Sequence, residues 1–87
     1  LIRAGLNVYP EAVENAVREE CSEVADCLVY GETIDGAVIL CLKYVGEISE
    51  RELRHKLAER FNAVLVPSWI QRVEGLPRTP SGKKLRR

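Results

Sequence analysis

Two runs of β-branched and aromatic residues, 24–30 and 37–45, flank an Asp35-Gly36 pair. That arrangement constrains the fold more than any other feature of the chain. Asp-Gly supplies the positive φ angles of a tight hairpin turn, so the two runs read as antiparallel strands. The second is apolar on both faces at Val38-Ile39-Leu40-Cys41-Leu42, which marks a central strand covered on both sides. Residues 69–73 alternate sides like a third strand.

Helical signals stand around these strands. Pro10 suits a first helical position, where its missing N–H would have no partner. Glu11 and Glu14 follow in the first turn, where carboxylates favour the positive end of the helix dipole. Val13, Ala16, Val17 and Cys21 recur at helical spacing as one apolar stripe, with Glu19, Glu20 and Glu23 mostly off it. After Gly46-Glu47, Ser49 with Glu52 matches a capping box. A second helix is predicted from there to about Phe61, burying Leu53, Leu57, Ala58 and Phe61. His55 lies off that stripe, without a cysteine or second histidine near it, and reads as a solvated surface histidine. Residues 1–8, with Gly5 in their middle, read as a bent extended segment or small hairpin. The expected fold is α+β: a small three-stranded sheet with packed helices and a short N-terminal hairpin.

Size limits what such a fold does alone. The 87 residues make one small domain or a piece of something larger, and the chain starts at Leu1 rather than Met. A domain of this size buries only about 60–65% of its unfolded surface, enough for one modest core but hardly for a deep substrate cavity as well. A 46% hydrophobic, 30% charged composition argues against disorder along most of the chain. Cys21, Cys27 and Cys41 are odd in number and sit in apolar stretches with no CxxC spacing. They read as buried thiols in a reducing, cytoplasmic compartment, with no metal site. The longest apolar run, residues 37–42, is far short of the roughly 20 residues of a membrane span, and no signal peptide is evident.

Thirteen basic and thirteen acidic residues cancel, but unevenly. Residues 78–87 hold five basic residues and no acid, leaving the preceding 77 with eight basic and thirteen acidic, a net of −5. The segment 76–87, rich in Gly, Pro and Ser near its start, reads as a mobile basic tail. Its Gly82-Lys83 pair suggests phosphate chemistry, since glycine lets backbone N–H groups approach an anion and lysine brings a cation. It is not a Walker A loop: Pro77 stands where the first glycine would be, and Lys84 where the magnesium-binding Ser or Thr would be. On composition alone a solvated basic terminus serves as well. So does a small binding module for nucleic acid or an acidic partner, although no basic stripe or aromatic array accompanies the tail.

Three stretches together resemble the C-terminal domain of the AMP-forming adenylating enzymes: acyl-CoA synthetases, carrier-loading adenylation domains and firefly-type luciferases. Gly5-Leu6-Asn7-Val8-Tyr9-Pro10-Glu11-Ala12-Val13-Glu14 is similar to the family's Gly-x-x-Val/Ile-x-Pro-x-Glu-Val/Ile-Glu segment, with Ala12 where the family usually has glutamate. Leu76-Pro77-Arg78-Thr79-Pro80-Ser81-Gly82-Lys83, continuing to Arg86, is similar to its closing Leu-Pro-x-Thr-x-x-Gly-Lys-x-x-Arg motif. Pro67-Ser68-Trp69-Ile70 stands between them, where the family begins a strand.

The resemblance implies one C-terminal lid domain over residues 1–87, working with a larger N-terminal adenylating domain. A carboxylic acid and ATP with Mg2+, bound mainly by that larger domain, would give an acyl-adenylate. Coenzyme A or a carrier-protein phosphopantetheine would then accept the acyl group. The small domain would rotate between the steps. Lys83 matches the catalytic lysine, with Thr79, Ser81, Gly82 and Arg86 supporting its loop. Gly5, Leu6 and Asn7 match the hairpin beside the thiol channel; a plain turn remains an alternative for Gly5 and Asn7. On size the isolated chain is expected to be inactive, and on charge pattern and apolar-run length it is expected to have no nucleic-acid partner and no membrane span.

Overall fold

The computed structural model describes residues 2–3, 6–62 and 65–77. In chain order the elements are β1 (Ile2–Arg3), β2 (Leu6–Asn7), α1 (Pro10–Glu20), β3 (Val24–Ile34), β4 (Ala37–Gly46), α2 (Glu50–Arg60) and β5 (Trp69–Arg72). β1 and β2 form a small antiparallel hairpin. The other three strands form a mixed sheet in the order β3-β4-β5, antiparallel across β3–β4 and parallel across β4–β5. This is the α+β architecture the sequence implies, with the apolar strand at the centre.

The Asp35-Gly36 turn is where the sequence puts it, with φ of 51° and 79° at its two residues. One difference lies beside it. The first strand run ends at Tyr30 in the sequence, with Gly31 opening the connection, yet β3 continues to Ile34, paired residue by residue from Gly31↔Leu40 to Ile34↔Ala37. A central partner as long as β4 carries the ladder across a residue whose own strand preference is poor. At the far end, the register shifts between Val24 and Asp26, and Gly46 pairs with Val24 there. The backbones come so close that a Cβ on Gly46 would stand 2.2 Å from the Glu23 carbonyl oxygen.

Both helices lie on one face of the sheet. Val13 and Val17 from α1 and Leu53 and Leu57 from α2 pack with Cys27, Val29, Leu40, Leu42, Tyr44 and Ile70 in the main core. The Tyr44 hydroxyl, fully buried, donates to the Ile48 carbonyl at 2.6 Å, and burial pushes its pKa up. Ser49 caps α2, its hydroxyl oxygen accepting from Glu52 N–H at 3.2 Å. Only Leu53 and Leu57 of α2 are buried, each contributing about 2–3 kcal/mol through burial. Ala58, expected on the same stripe, is exposed, because a stripe of i and i+4 alone is one side chain wide. Phe61 packs partly buried against the core.

The opposite face carries no helix among the described residues. Leu28, Tyr30 and Cys41 are buried there, with Ile39 and Leu76 packed against them. β4 is thus covered on both sides, as its composition predicts, but by different means on each.

Each outer strand of the sheet gives a backbone N–H to a carboxylate from a helix. Glu14 of α1, only 2% exposed, accepts from Val29 N–H on β3 at 2.7 Å. Glu50 of α2 accepts from Arg72 N–H on β5 at 2.9 Å.

Candidate functional site

Two motif segments were singled out by the sequence, and the structure describes where each is rooted. The hairpin pairs Ile2 with Asn7 and Arg3 with Leu6, so Leu6 and Asn7 form β2. Gly5 lies outside the described residues. Val8, 1% exposed, plugs the end of the hairpin into the main core, and Tyr9 beside it is 67% exposed. Pro10 then opens α1, with the Tyr9 carbonyl accepting from the N–H groups of Ala12 and Val13. Farther along α1, Glu14 fixes the helix to the edge of β3. The sequence places Glu14 at the helix dipole and at the end of the Gly5–Glu14 motif, with no contact to the sheet implied. Its signal was spacing: Glu14, Val17 and Cys21 fall at i, i+3 and i+7, so this carboxylate lies on the apolar stripe.

The second segment begins after β5. Val73 N–H donates to the Tyr44 carbonyl at 2.8 Å, and the chain then crosses the helix-free face until Leu76 packs on Leu28, Tyr30 and Cys41. Lys83, Thr79, Ser81, Gly82 and Arg86 lie outside the described residues. The two roots therefore stand on opposite faces of one three-stranded sheet: Val8 in the core under the helices, Leu76 on the other side.

Each root borders a hollow. A groove of about 360 Å3 runs beside the first, lined by Tyr9, Ala12, Ala16, Phe61 and Leu65. One of about 330 Å3 adjoins the second, lined by Tyr30, Ile34, Ile39, Cys41, Lys43 and Trp69. A larger hollow of about 640 Å3, near Gly46, is walled by Glu23, Glu47 and Glu74 against Arg72 alone. Its acidic lining repels a nucleotide's phosphates. Among the described residues, no group of three or more His, Cys, Asp or Glu side chains is gathered to hold a metal ion.

Four of the described cations meet local acids. Lys56 meets Glu23 at 2.9 Å, Arg60 meets Glu20 at 3.4 Å, Arg72 meets Glu47 at 3.6 Å and Arg18 meets Asp26 at 3.9 Å. The Lys56 hydrogen bond holds the Glu23 carboxyl below its usual range, and Glu23 raises Lys56 in return. His55 is exposed and paired with Glu59, as its position off the stripe implies. None of the three cysteines forms a disulfide, and burial pushes the Cys21 thiol up, away from thiolate reactivity. No helix among the described residues is long and apolar enough to cross a membrane.

A hairpin feeding an amphipathic helix and a mixed three-stranded sheet define a small α+β domain. The chain belongs to the AMP-binding enzyme C-terminal domain family, whose model matches residues 12–83. It is 35% identical, over 99% of its length, to a Staphylococcus haemolyticus protein bearing the name long chain fatty acid-CoA ligase VraA, of which it spans 19%. In three dimensions it matches a Mycobacterium tuberculosis fatty acyl CoA synthetase with a TM-score of 0.83 and 26% identity. That match covers 98% of this chain and 18% of the other. The anthranilate CoA ligase AuaEII, solved with anthranoyl-AMP, matches with a TM-score of 0.81 and 26% identity, over 97% of this chain and 18% of its own. The chain thus spans about one-fifth of the length of these relatives.

Proposed function

We propose that this domain serves an ATP-dependent acid–thiol ligase of the acyl-CoA synthetase type. In the first step a carboxylate attacks the α-phosphate of ATP, giving an acyl-adenylate and releasing pyrophosphate. In the second a thiol attacks the acyl carbon, forming a thioester and releasing AMP. ATP, with Mg2+, and the carboxylic acid are held mainly by the larger part of the ligase. The acidic hollow near Gly46 is poorly suited to a triphosphate. The thiol belongs to coenzyme A or to a carrier-protein phosphopantetheine, and the reduced cysteines fit a cytoplasmic setting.

Lys83 is the catalytic residue of the first step. Negative charge builds on the α-phosphate and carboxylate oxygens, and a lysine ammonium offsets it there. Thr79, Ser81, Gly82 and Arg86 shape the loop around Lys83. Gly5, Leu6 and Asn7 border the path of the thiol in the second step, where a residue without a side chain leaves room.

The observation that carries this reading is the placement of the two roots on opposite faces of the sheet. A domain serving two successive steps with two different segments needs them on surfaces that are presented by turning. The test is a pair of alanine variants in the ligase carrying this domain, assayed by ATP–pyrophosphate exchange. Lys83→Ala is expected to slow exchange by about 10²–10³-fold, the scale of losing one preorganised charge-stabilising donor. Lys84→Ala is expected to stay within a few-fold. Equal losses in the two variants overturn the assignment in favour of diffuse tail charge.

A further inference from the structure

Leu76 enters the fold in a way that the chemistry assigned to Lys83 does not explain. After Val73 N–H meets the Tyr44 carbonyl, no regular element follows among the described residues. Gly75 has open space where a Cβ would stand, so no side chain presses on the chain at that point. Leu76 nevertheless packs on Leu28, Tyr30 and Cys41, on the face opposite both helices. The register explains the shape of this socket. Tyr30 lies opposite Cys41 and Leu28 opposite Lys43, so all four side chains share one face. The Lys43 ammonium sits 5.7 Å from the centre of the Tyr30 ring, a cation–π contact that favours one ring orientation. Tyr30, 7% exposed, and Cys41, 3% exposed, form the buried surface of the socket with Leu28.

We propose that the Leu28–Tyr30–Cys41 socket anchors the C-terminal segment through Leu76, making Leu76 a positioning residue for Lys83. The proposal rests on the reading of Lys83 given above. Lys83 is seven residues beyond Leu76 and ten beyond Val73. A fully extended chain reaches at most about 3.5 Å per residue, so Lys83 stays within about 25 Å of a held Leu76. With the socket empty, the last fixed point is Val73 and the reach grows to about 35 Å. The volume available to the ammonium then increases about threefold before any loss of direction is counted. Leu76 confines the search of the lysine and takes no part in the chemistry.

Cys41 supplies a reporter independent of activity. Cys21 and Cys27 are fully buried in the main core, whereas Cys41 forms part of the socket itself. In the 87-residue chain, Leu76→Ala is expected to raise iodoacetamide labelling of Cys41 about tenfold, with Cys21 and Cys27 still protected and the circular dichroism unchanged. Leu76→Met, which refills the socket, is expected to restore protection. In the ligase carrying the domain, Leu76→Ala is expected to lower adenylation about three- to tenfold, and Leu76→Met to recover it. Thioester formation from supplied acyl-adenylate is expected to stay within about twofold of the parent.

Unchanged Cys41 labelling in Leu76→Ala overturns the anchor, whatever Lys83 does. Equal labelling gains at all three cysteines mean general loosening and overturn it too. Selective Cys41 labelling with undiminished adenylation overturns the positioning role. Undiminished adenylation in Lys83→Ala defeats the catalytic reading instead, and leaves the Cys41 measurement to decide the anchor by itself.

Discussion

Replacing Gly46 by alanine tests the closest backbone approach in the fold. The new Cβ would stand 2.2 Å from the Glu23 oxygen, 3.0 Å from the Val24 Cα and 3.1 Å from the Glu23 carbonyl carbon. All three atoms are backbone, so no side-chain rotation relieves the clash. An ordinary carbon–oxygen contact needs roughly 3.2 Å or more, and the strands must therefore separate by about 1 Å. That movement strains the Glu47 N–H bond to the Glu23 carbonyl, now 3.1 Å, at the irregular end of the β3–β4 ladder. Losing this bond costs about 1 kcal/mol, and the forced shift about 1–3 kcal/mol more. A total of about 2–4 kcal/mol lowers the Tm of a domain this small by roughly 10–25 °C. Thermal and urea denaturation of Gly46→Ala measure it. Two further glycines calibrate the scale. Gly36→Ala has open space but a φ of 79°, and is expected to cost about 1–2 kcal/mol. Gly75→Ala has open space and no positive φ, and is expected within about 0.5 kcal/mol of the parent. A Gly46→Ala protein as stable as Gly75→Ala would refute the close-approach argument.

Glu14→Leu leaves the buried Val29 N–H without its carboxylate and is expected to destabilise the domain by about 2–3 kcal/mol; Glu14→Gln, which keeps an acceptor oxygen, is expected to lose less than half as much, and equal losses on chemical denaturation count against the hydrogen bond as the cause. Because Lys56 holds the Glu23 carboxyl low, the stability from this pair is present above the unfolded carboxylate pKa and fades as pH falls through the lower folded value. Because Glu23 holds Lys56 high, the same stability fades at the alkaline end, as pH rises through the raised lysine value. The Tm difference between the parent and Lys56→Met is thus expected to be flat from about pH 5 to 9 and to shrink below pH 4; a difference that grows on acidification contradicts the pairing.

The legible parts of this fold were those governed by local chemistry. Asp35-Gly36, Pro10 and the Ser49–Glu52 pair each demand a particular backbone geometry from a few neighbouring atoms, and each appears where the sequence puts it. The misread parts depended on what lay across a ladder or a helix groove. Gly31 stayed in its strand because Leu40 was opposite it. Glu14 was buried because a strand edge offered an N–H within reach. The parallel direction of β5 was likewise invisible to its own alternation, which is the same in either sense. Of the candidate site, Leu6 and Asn7 fall in the short strand expected of them. The residues around Lys83 were reached by motif resemblance, because five basic residues in ten look alike to composition.

The carboxylates of Glu14 and Glu50 carry a consequence for how this domain holds on to anything else. An open strand edge is adhesive: another backbone adds to it bond by bond and is slow to leave. At Val29 and at Arg72 a backbone N–H of an outer strand is already taken by a carboxylate on a helix of the same domain. A neighbour docking across those positions meets side chains, which make and break contact far more readily than a ladder does. Under the two-step role proposed above, release would matter as much as grip, and carboxylates that occupy these two N–H groups would favour a hold that is readily given up.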